Sequence, residues 1–243
     1  MPRTRAADYD QQRDAILAVA ARVFAERGYA GASIAELAAV GGMSKALVYH
    51  YYRDKEQLLF DIADRYLDGL LALVAQVKAE STAPAAHLRR LIERFMEAYR
   101  DAGAHHRVLV QDVKYLSSVH KRRIDAKQRA IVQAFADATA AVAPELKRGS
   151  LLKPVTMTLF GMMNWTFTWL DERGPVSYPQ MARVVADLFL RGVGPLEERA
   201  TAKPGTKATA AAKARKTETS EPAARRARPA PATKPARLLR EAA

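Results

Sequence analysis

The chain has 243 residues, of which 49% are apolar and 27% are charged, enough to build one large or two small folded domains. It has no cysteine, which excludes disulfide bonds and thiolate metal sites. No run of eighteen apolar residues is present, and the first residues lack the apolar region of a secretory signal. We therefore expect a cytoplasmic protein with no membrane segment.

The net charge of +13 is distributed unevenly along the chain. Residues 200–243 carry 11 Lys and Arg against 3 Asp and Glu, which accounts for +8 of the excess. Residues 1–60 are almost neutral, with 8 basic against 7 acidic side chains. The basic character therefore belongs mainly to the carboxyl-terminal segment, and it does not by itself indicate that the folded part binds nucleic acid.

Two helices are predicted at the amino-terminal end. Apolar residues at helical spacing indicate a first helix that ends at Gly28-Tyr29, a pair typical of a glycine C-cap. Ser33 and Glu36 have the spacing of a capping box, in which each side chain binds the other residue's backbone N–H, so a second helix is expected to begin there. Gly41-Gly42 ends it, because glycine tolerates the positive φ of a tight turn.

A short third helix is predicted after the glycines, with Ser44 as its N-cap. Four-residue spacing places Val48 and Tyr52 toward the core and the polar side chains on the opposite face. A fourth helix is expected to begin at Asp54 and to carry a long apolar stripe. Two short helices joined by a glycine turn, the second with polar side chains facing outward, are a helix-turn-helix suited to the major groove of DNA.

The side chains of this motif suit contacts with DNA. Helix N-termini attract phosphate, and hydroxyl, imidazole and ammonium groups can donate hydrogen bonds to phosphate oxygens. Lys45 can reach a guanine edge, and Ala46 or Leu47 can contact a thymine methyl group. The phosphate contacts that we expect are Ser33, Ser44, Tyr49, His50 and Lys55.

Residues 10–70 resemble the DNA-binding domain of the TetR family of transcriptional regulators. The resemblance is carried by Ile16-Leu17, Phe24, Gly28-Tyr29, Ser33–Ala38, Gly42–Lys45, Tyr49–Tyr52 and Lys55–Leu59. It implies an all-α fold of about nine helices, with a three-helix helix-turn-helix domain over residues 10–70 and a ligand-binding and dimerisation domain over 71–195. It also implies binding to a palindromic operator in double-stranded DNA through Ser33, Ser44, Lys45, Leu47, Tyr49, His50 and Lys55.

Further helices are predicted at about residues 85–102, 104–117, 119–142, 151–173 and 179–191. The segment 150–173 is apolar on nearly every side, and such a helix needs a partner beyond its own domain. TetR-like proteins bury their last two helices in a four-helix dimer interface, so the resemblance implies a homodimer. Two recognition helices about 34–36 Å apart then match successive turns of a palindrome.

Side chains of this second domain are candidates for an effector pocket, and plain core packing is the alternative for each of them. The candidates are Phe95, Tyr99, Leu109, Val113, Phe135, Phe160, Asn164 and Thr168. Asn164 lies in apolar surroundings and needs hydrogen-bond partners, so it is expected to contact either a ligand carbonyl or its symmetry mate in a dimer.

The segment NWTFTW, residues 164–169, is similar to a subset of TetR-family proteins that sense CoA thioesters of fatty, aromatic or steroid acids. This resemblance implies a hydrophobic small-molecule effector, with an acyl-CoA as one candidate. Such a ligand needs an apolar cavity for its acyl chain and basic groups for its phosphates. Lys121, Arg122, Arg123 and Arg173 are available for the phosphates, and a solvated surface is the alternative.

Catalytic motifs are not found in the sequence, which has no Gly-x-Ser-x-Gly elbow, no His-Glu-x-x-His pair and no P-loop. His105 and His106 are adjacent and lack the i,i+4 spacing of a helical metal site, so we expect them at the surface. We therefore expect that the protein is not an enzyme and that it has no catalytic residue, no metal site and no cofactor.

Residues 196–243 are rich in Ala, Pro, Lys and Arg. We expect this tail to be disordered, because it has too little apolar surface to offset its ordering entropy. It is either a solubilising extension or an arm that binds phosphate. The sequence as a whole predicts a ligand-responsive dimeric repressor at the nucleoid, and the alternative is an architectural DNA-binding protein dominated by its basic tail.

Overall fold

A computed structural model describes residues 3–80, 83–148, 150–171 and 173–201. These residues form nine α-helices and three short 3-10 helices, with no strand among them, which confirms the predicted all-α fold. The α-helices are α1 (Arg3–Gly31), α2 (Ile34–Val40), α3 (Lys45–Tyr51), α4 (Lys55–Ala79), α5 (Pro84–Asp101), α6 (Gly103–Gln111), α7 (Ser118–Val142), α8 (Leu152–Asn164) and α9 (Tyr178–Thr201).

The first three helices pack against the start of α4. Helical periodicity directs one apolar row of each helix inward, and the innermost side chains are fully buried: Ile16, Phe24, Leu37, Val48, Tyr52 and Leu58. Gly28 interrupts α1 with φ 73° and ψ 151°, a left-handed conformation that glycine adopts without strain. The chain bends at the predicted cap and continues to Gly31 before α2 begins.

A continuous apolar core joins this unit to α4–α9. Phe95 of α5, Phe135 of α7 and Phe160 of α8 meet at its centre, with the Phe95 and Phe135 ring centroids 4.8 Å apart and those of Phe135 and Phe160 4.9 Å apart. Arg89 of α5 forms an ion pair with Asp187 of the last helix, α9, at 2.7 Å. The long helix α4 belongs to both parts, since its first turns complete the amino-terminal core and its later turns pack on α7 and α5.

Three predicted helix ends in the second half differ from the structure. The helix expected over 151–173 ends at Asn164 and tightens into a 3-10 helix, Trp165–Thr168, in which the Thr166 and Thr168 hydroxyls donate to carbonyls three residues earlier. The helix expected over 104–117 ends at Gln111, before a 3-10 helix at Val113–Tyr115.

The last helix, α9, continues to Thr201, past the predicted end at 191 and past residue 196, where the tail was expected to begin. Residues 202–243, the rest of that predicted tail, lie outside the described residues. Within the described ranges no helix is both long and apolar enough to cross a membrane.

Large apolar side chains are exposed along the carboxyl-terminal helices. Met157 of α8 is 47% exposed, Trp165 is 67% exposed, and Leu188 of α9 is 62% exposed. Trp169 and Val184 are also exposed. The segment expected to be buried on every side is therefore buried on one side only in the single chain, because Leu159 and Met163 face the core while Met157 and Trp165 face outward. We call these five exposed residues the apolar face.

Candidate DNA-binding surface and effector cavity

The turn between α2 and α3 is closed by backbone hydrogen bonds. The Gly41 N–H donates to the Leu37 carbonyl at 2.9 Å, and the Met43 N–H donates to the Ala38 carbonyl at 2.9 Å. Gly42 has φ 63°, in the left-handed region that favours glycine. The two glycines therefore allow α3 to start immediately after α2 in a new direction.

Each of the three helices α2, α3 and α4 begins with a side-chain cap. Ser33 Oγ accepts from the Glu36 N–H at 3.1 Å, Ser44 Oγ accepts from the Leu47 N–H at 3.0 Å, and Asp54 accepts from the Gln57 N–H at 2.8 Å. This last hydrogen bond is the main reason that the pKa of Asp54 is lowered. The serine hydroxyls keep their own hydrogens, which remain able to donate outward.

The capping box predicted at Ser33 is formed by half. The Ser33 side chain caps the helix as expected, but the Glu36 carboxylate pairs with Arg27 of α1 at 2.7 Å rather than with the Ser33 backbone. The sequence pattern could not show this outcome, because Arg27 approaches Glu36 only when α1 and α2 are packed together.

The third helix, α3, presents one face to solvent. Val48 and the following Tyr52 are fully buried, as predicted. On the opposite face Tyr49 is 54% exposed, and Lys45, Ala46 and His50 are also exposed. Leu47 is half-buried. Four of the side chains predicted to contact DNA, Lys45, Ala46, Tyr49 and His50, are therefore exposed on α3, while Ser33 and Lys55 lie at the starts of α2 and α4.

The orientation of α3 is held by Tyr52. Its hydroxyl accepts from Arg13 Nε at 3.1 Å, and the same guanidinium forms an ion pair with Asp61 of α4. Burial raises the pKa of Tyr52 to about 12, so the phenol stays protonated and can donate in turn. Three helices are thus joined at the end of α3 by one network of polar contacts.

Lys55 lies differently from the simple phosphate contact that was expected. Its ammonium donates to the Tyr29 carbonyl at 2.7 Å and to the Ala32 carbonyl at 2.9 Å, and it lies 4.3 Å from the centroid of the Tyr29 ring. A cation at this point satisfies carbonyls at the end of α1. Because an ammonium has three donors, one N–H of Lys55 is still available to a phosphate.

Polar contacts fasten α4 to α7. Glu56 Oε1 accepts from the Ser117 backbone N–H at 2.9 Å and lies 2.7 Å from His120 Nδ1. Hydrogen bonding from Ser117, followed by that from His120, lowers the pKa of Glu56 to about 2. Further along, Lys127 Nζ lies 2.5 Å from Asp64 and 2.7 Å from Asp68. The helix that follows α3 is therefore anchored to the second half of the molecule at several points.

A cavity of about 250 Å³ lies between α4, α5, α6, α7 and α8. Five predicted pocket residues line it: Phe95, Tyr99, Leu109, Phe160 and Asn164. Its other walls are Leu67, Leu70, His106, Val110, Gln128, Ile131, Val132 and Met157. Because Leu67 and Leu70 belong to α4, a molecule in the cavity would touch the helix that leads back to α3.

Three predicted pocket residues lie elsewhere. Phe135 is fully buried behind the cavity wall, packed between the Phe95 and Phe160 rings. Val113 is half-buried in the 3-10 helix after α6 and packs against the core. Thr168 faces a separate surface cleft, because the helix that was to carry it inward ends at Asn164.

The prediction that His106 lies at the surface was wrong. Its ring is 2% exposed and stacks on Tyr99 with a centroid distance of 3.9 Å. Its Nδ1 is 3.4 Å from the Tyr66 hydroxyl. Burial, opposed in part by the nearby Asn164 backbone carbonyl, lowers the pKa of His106 to about 4, so the ring is neutral at pH 7. Its spacing of three residues from Leu109 was the available sequence signal, since both fall on one helix face.

The surface cleft has about 680 Å³ and a basic lining. Arg22, Arg100, Arg107 and Arg173 line it together with Phe167 and Trp169, against two acidic residues, Glu26 and Asp171. We call it the arginine cleft. Of the four basic residues proposed for phosphates, Arg173 lines this cleft, while Lys121 pairs with Asp125 and Arg123 with Asp64. None of the three basic residues 121–123 lines the cavity or the arginine cleft.

Phe167 of the arginine cleft contacts a residue of the cavity. Its ring centroid is 5.7 Å from that of His106, which lines the cavity, and the Arg107 guanidinium lies 5.7 Å from the same ring. Across the described ranges, no group of three His, Asp or Glu side chains is arranged to hold a metal ion.

The capped helix pair, the glycine turn and the exposed face of α3 define a helix-turn-helix DNA-binding protein. Two family models match the chain: residues 16–62 match the bacterial regulatory proteins of the tetR family, and residues 81–193 match the tetracyclin repressor-like C-terminal domain. The chain belongs to the TetR family of transcriptional regulators.

Solved structures agree with this assignment. A TetR-family transcriptional regulator from Bordetella parapertussis 12822 is 33% identical with a TM-score of 0.72, covering 76% of this chain and 95% of that one. AibR, solved in complex with isovaleryl coenzyme A and operator DNA, is 26% identical with a TM-score of 0.66, covering 73% of this chain and 97% of that one.

Curated relatives match over a shorter stretch. The transcriptional activator FasR of Mycolicibacterium smegmatis is 26% identical over 129 residues, 53% of this chain and 57% of FasR. The transcriptional repressor KstR2 of the same organism is 28% identical over 108 residues, 44% of this chain and 53% of KstR2. The chain thus matches a little over half the length of these two regulators.

Proposed function

We propose that the protein is a ligand-responsive, dimeric transcriptional repressor that binds a palindromic operator. The observation that carries the proposal is α4, which follows α3 directly and then forms one wall of the effector cavity. A ligand that changes the position of α4 changes the position of α3. Such a coupling between two sites is typically worth about 1–3 kcal/mol.

The proposed DNA contacts divide by chemistry. Hydroxyl, imidazole and ammonium groups at helix N-termini and on α3 bind phosphates: Ser33, Ser44, Tyr49, His50 and Lys55. Lys45 reads a base edge, and Ala46 and Leu47 contact thymine methyl groups. The exposure of Lys45, Ala46, Tyr49 and His50 on one face supports this division, and so does the family to which the chain belongs.

The homodimer is supported by the apolar face on α8 and α9. Isolated exposed apolar residues are common, but several large ones grouped on adjacent helices indicate a protein interface. A symmetric dimer through this face has the arrangement that the sequence resemblance implies. Binding to chromosomal DNA as such a dimer would place the protein at the nucleoid in the cytoplasm.

The proposed effector is a CoA thioester or another hydrophobic small molecule. The cavity provides an apolar site for an acyl group, and the arginine cleft provides cations for phosphates, with Phe167 of the cleft in contact with His106 of the cavity. Guanidinium groups bind phosphate in a two-point geometry that favours this role. The structure of AibR with isovaleryl coenzyme A supports the choice of ligand class.

The proposal can be tested by selection of operator DNA from a random pool, followed by footprinting of the selected sequence. A short palindrome protected by the purified protein, and released on addition of an acyl-CoA, is the expected result. A reporter gene under the same operator distinguishes repression from activation, since relatives of both kinds match the chain. Protection that does not depend on sequence would contradict the proposal.

The charge of residues 200–243 favours a second candidate, an architectural DNA-binding protein. Deletion of residues 202–243 separates the two functions. If the tail dominates, the shortened protein loses DNA binding. The slope of log K against log salt concentration then becomes smaller in magnitude by about 0.9 for each lost phosphate contact on duplex DNA. If the protein is a repressor, the shortened protein keeps its operator and loses only part of its affinity.

A further inference from the structure

The size of the cavity limits what it can hold. An apolar cavity of about 150 Å³ in another protein accommodates one benzene molecule. The cavity here has about 250 Å³, so a single ring or short branched chain with a small substituent fits. Val110 and Met157 are exposed as well as lining, so the cavity reaches the surface beside them.

Two polar atoms in this apolar space are buried without a hydrogen bond of normal geometry. They are His106 Nε2 and Asn164 Oδ1, although the Asn164 backbone carbonyl lies near the His106 ring. Most of the other lining side chains are aliphatic or aromatic. Leaving a buried polar group unpaired is unfavourable, so two such atoms lining the same cavity indicate a partner that enters from outside.

The contacts of His106 favour one arrangement of its hydrogens. The Tyr66 hydroxyl lies 3.4 Å from Nδ1, and its hydrogen can be donated to that nitrogen. If this hydroxyl donates to Nδ1, the ring hydrogen is on Nε2, which is then a donor. Asn164 Oδ1 is an acceptor. One donor and one acceptor therefore line the same cavity.

We propose that the cavity recognises a neutral hydroxyl group on the apolar part of the effector. The hydroxyl oxygen accepts a hydrogen bond from His106 Nε2, and the hydroxyl hydrogen is donated to Asn164 Oδ1. This inference rests on the proposed function, because it specifies the chemistry of the effector in the same cavity. It also assigns Asn164 to the ligand rather than to its symmetry mate.

A hydroxyl fits the two atoms better than the other common polar groups. A carboxylate would offer no hydrogen to Asn164 and would place an anion in a cavity that no arginine or lysine lines. A ketone or thioester carbonyl satisfies His106 alone. A hydroxyl satisfies both atoms with one oxygen, which suits the small volume.

The test compares two probes that differ only in this group, 4-ethylphenol and 4-ethyltoluene. Calorimetry with the full-length protein is expected to show about tenfold to 100-fold tighter binding of the phenol, because unpaired buried groups are costly. Asn164→Leu and His106→Phe should each remove most of this preference. Val119→Ala, at an exposed position outside the cavity, should leave the preference unchanged.

Equal affinity for the two probes, or no binding of either to the unaltered protein, would overturn the inference. So would a preference for the phenol that persists in both variants, which would show that other groups bind the hydroxyl. Circular dichroism identifies a variant that fails to fold, and the binding preference of the other variant then tests the inference. Operator binding measured on the same samples tests the proposed function separately. That function is contradicted if the unaltered protein binds no operator, or if no ligand releases the protein from its operator.

Discussion

Lys55 shows how one side chain can serve a structural purpose at a DNA-binding surface. Two of its three N–H donors are used by the Tyr29 and Ala32 carbonyls. Removing the Lys55 side chain is therefore expected to weaken the connection between α1 and α2, in addition to any contact with DNA. Lys45 carries the same charge on the exposed face of α3 and is exposed. The two lysines therefore form a matched pair for separating stability from DNA contact.

Replacing Lys55 by Ala is expected to lower the free energy of unfolding by about 1–3 kcal/mol, because two partly buried carbonyls lose a charged partner. Replacing Lys45 by Ala should change it by less than about 0.5 kcal/mol, as is usual for an exposed position. Urea unfolding measures both. Lys45→Ala should nevertheless weaken operator binding by about tenfold or more in a fluorescence anisotropy titration, since a base contact is worth about 1–3 kcal/mol. Equal stability of the two variants would contradict the structural role of Lys55.

Sequence periodicity located individual residues well where a single helix decides their surroundings. Val48 and Tyr52 are buried and Tyr49 is exposed because all three follow from the register of α3. Periodicity could not locate His106 or the partner of Glu36, since both depend on which helices become neighbours. The chemistry of a cavity between five helices is set by that packing, and adjacent residues in the sequence do not reveal it.

At the scale of helices, the stability of the contact between α4 and α7 depends on pH. Glu56 has a pKa lowered from 4.5 to about 2 by Ser117 and then His120. A carboxylate with a lowered pKa stabilises the folded state above its unfolded value of about 4.5. That contribution is lost as the pH falls from 4.5 toward 2.

Replacing Glu56 by Gln is expected to lower stability at pH 7 by about 1 kcal/mol or less, because the group is partly exposed and screened by solvent. The same change should make the loss of stability between pH 4.5 and pH 2 shallower. Thermal unfolding across that pH range provides the measurement, with Glu97→Gln, whose pair with Arg94 lies within α5, as a control. An unchanged slope in the Glu56 variant would show that this contact does not contribute.

Most helices were predictable because glycine, proline and capping residues mark their ends in the sequence. The exceptions are informative. The helix after residue 151 ends at Asn164, where the Thr166 and Thr168 hydroxyls bind carbonyls three residues earlier. The helix after residue 178 continues to Thr201 past Gly192, Gly194 and Pro195, residue types that usually mark the end of a helix. Local hydrogen bonding accompanies the first difference, and the sequence pattern gave the wrong signal for the second.

At the scale of the whole molecule, the apolar face makes a testable statement about assembly. Replacing Leu188 by Glu places a charge at a side chain that is 62% exposed in the single chain and central to the proposed interface. We expect the protein to become monomeric in analytical ultracentrifugation. Operator affinity should fall by about 100-fold or more, because joining two binding units typically gains that much.

The matched control is Ala126→Glu, on an exposed position of α7 away from the apolar face. It should leave both the sedimentation behaviour and the operator affinity unchanged. A Leu188→Glu protein that remains dimeric would place the interface elsewhere on the molecule.

The length of α4 has a consequence for how this regulator could change over time. From Lys55 to Leu70 the helix extends about 22 Å, so the proposed DNA contacts and the lining of the proposed effector cavity do not overlap. Under the proposed function, a mutation in the cavity changes the compound that is sensed while the operator stays the same. A mutation on α3 changes the operator while the sensed compound stays the same. Ligand specificity and operator specificity can therefore evolve separately, while α4 continues to connect the two sites.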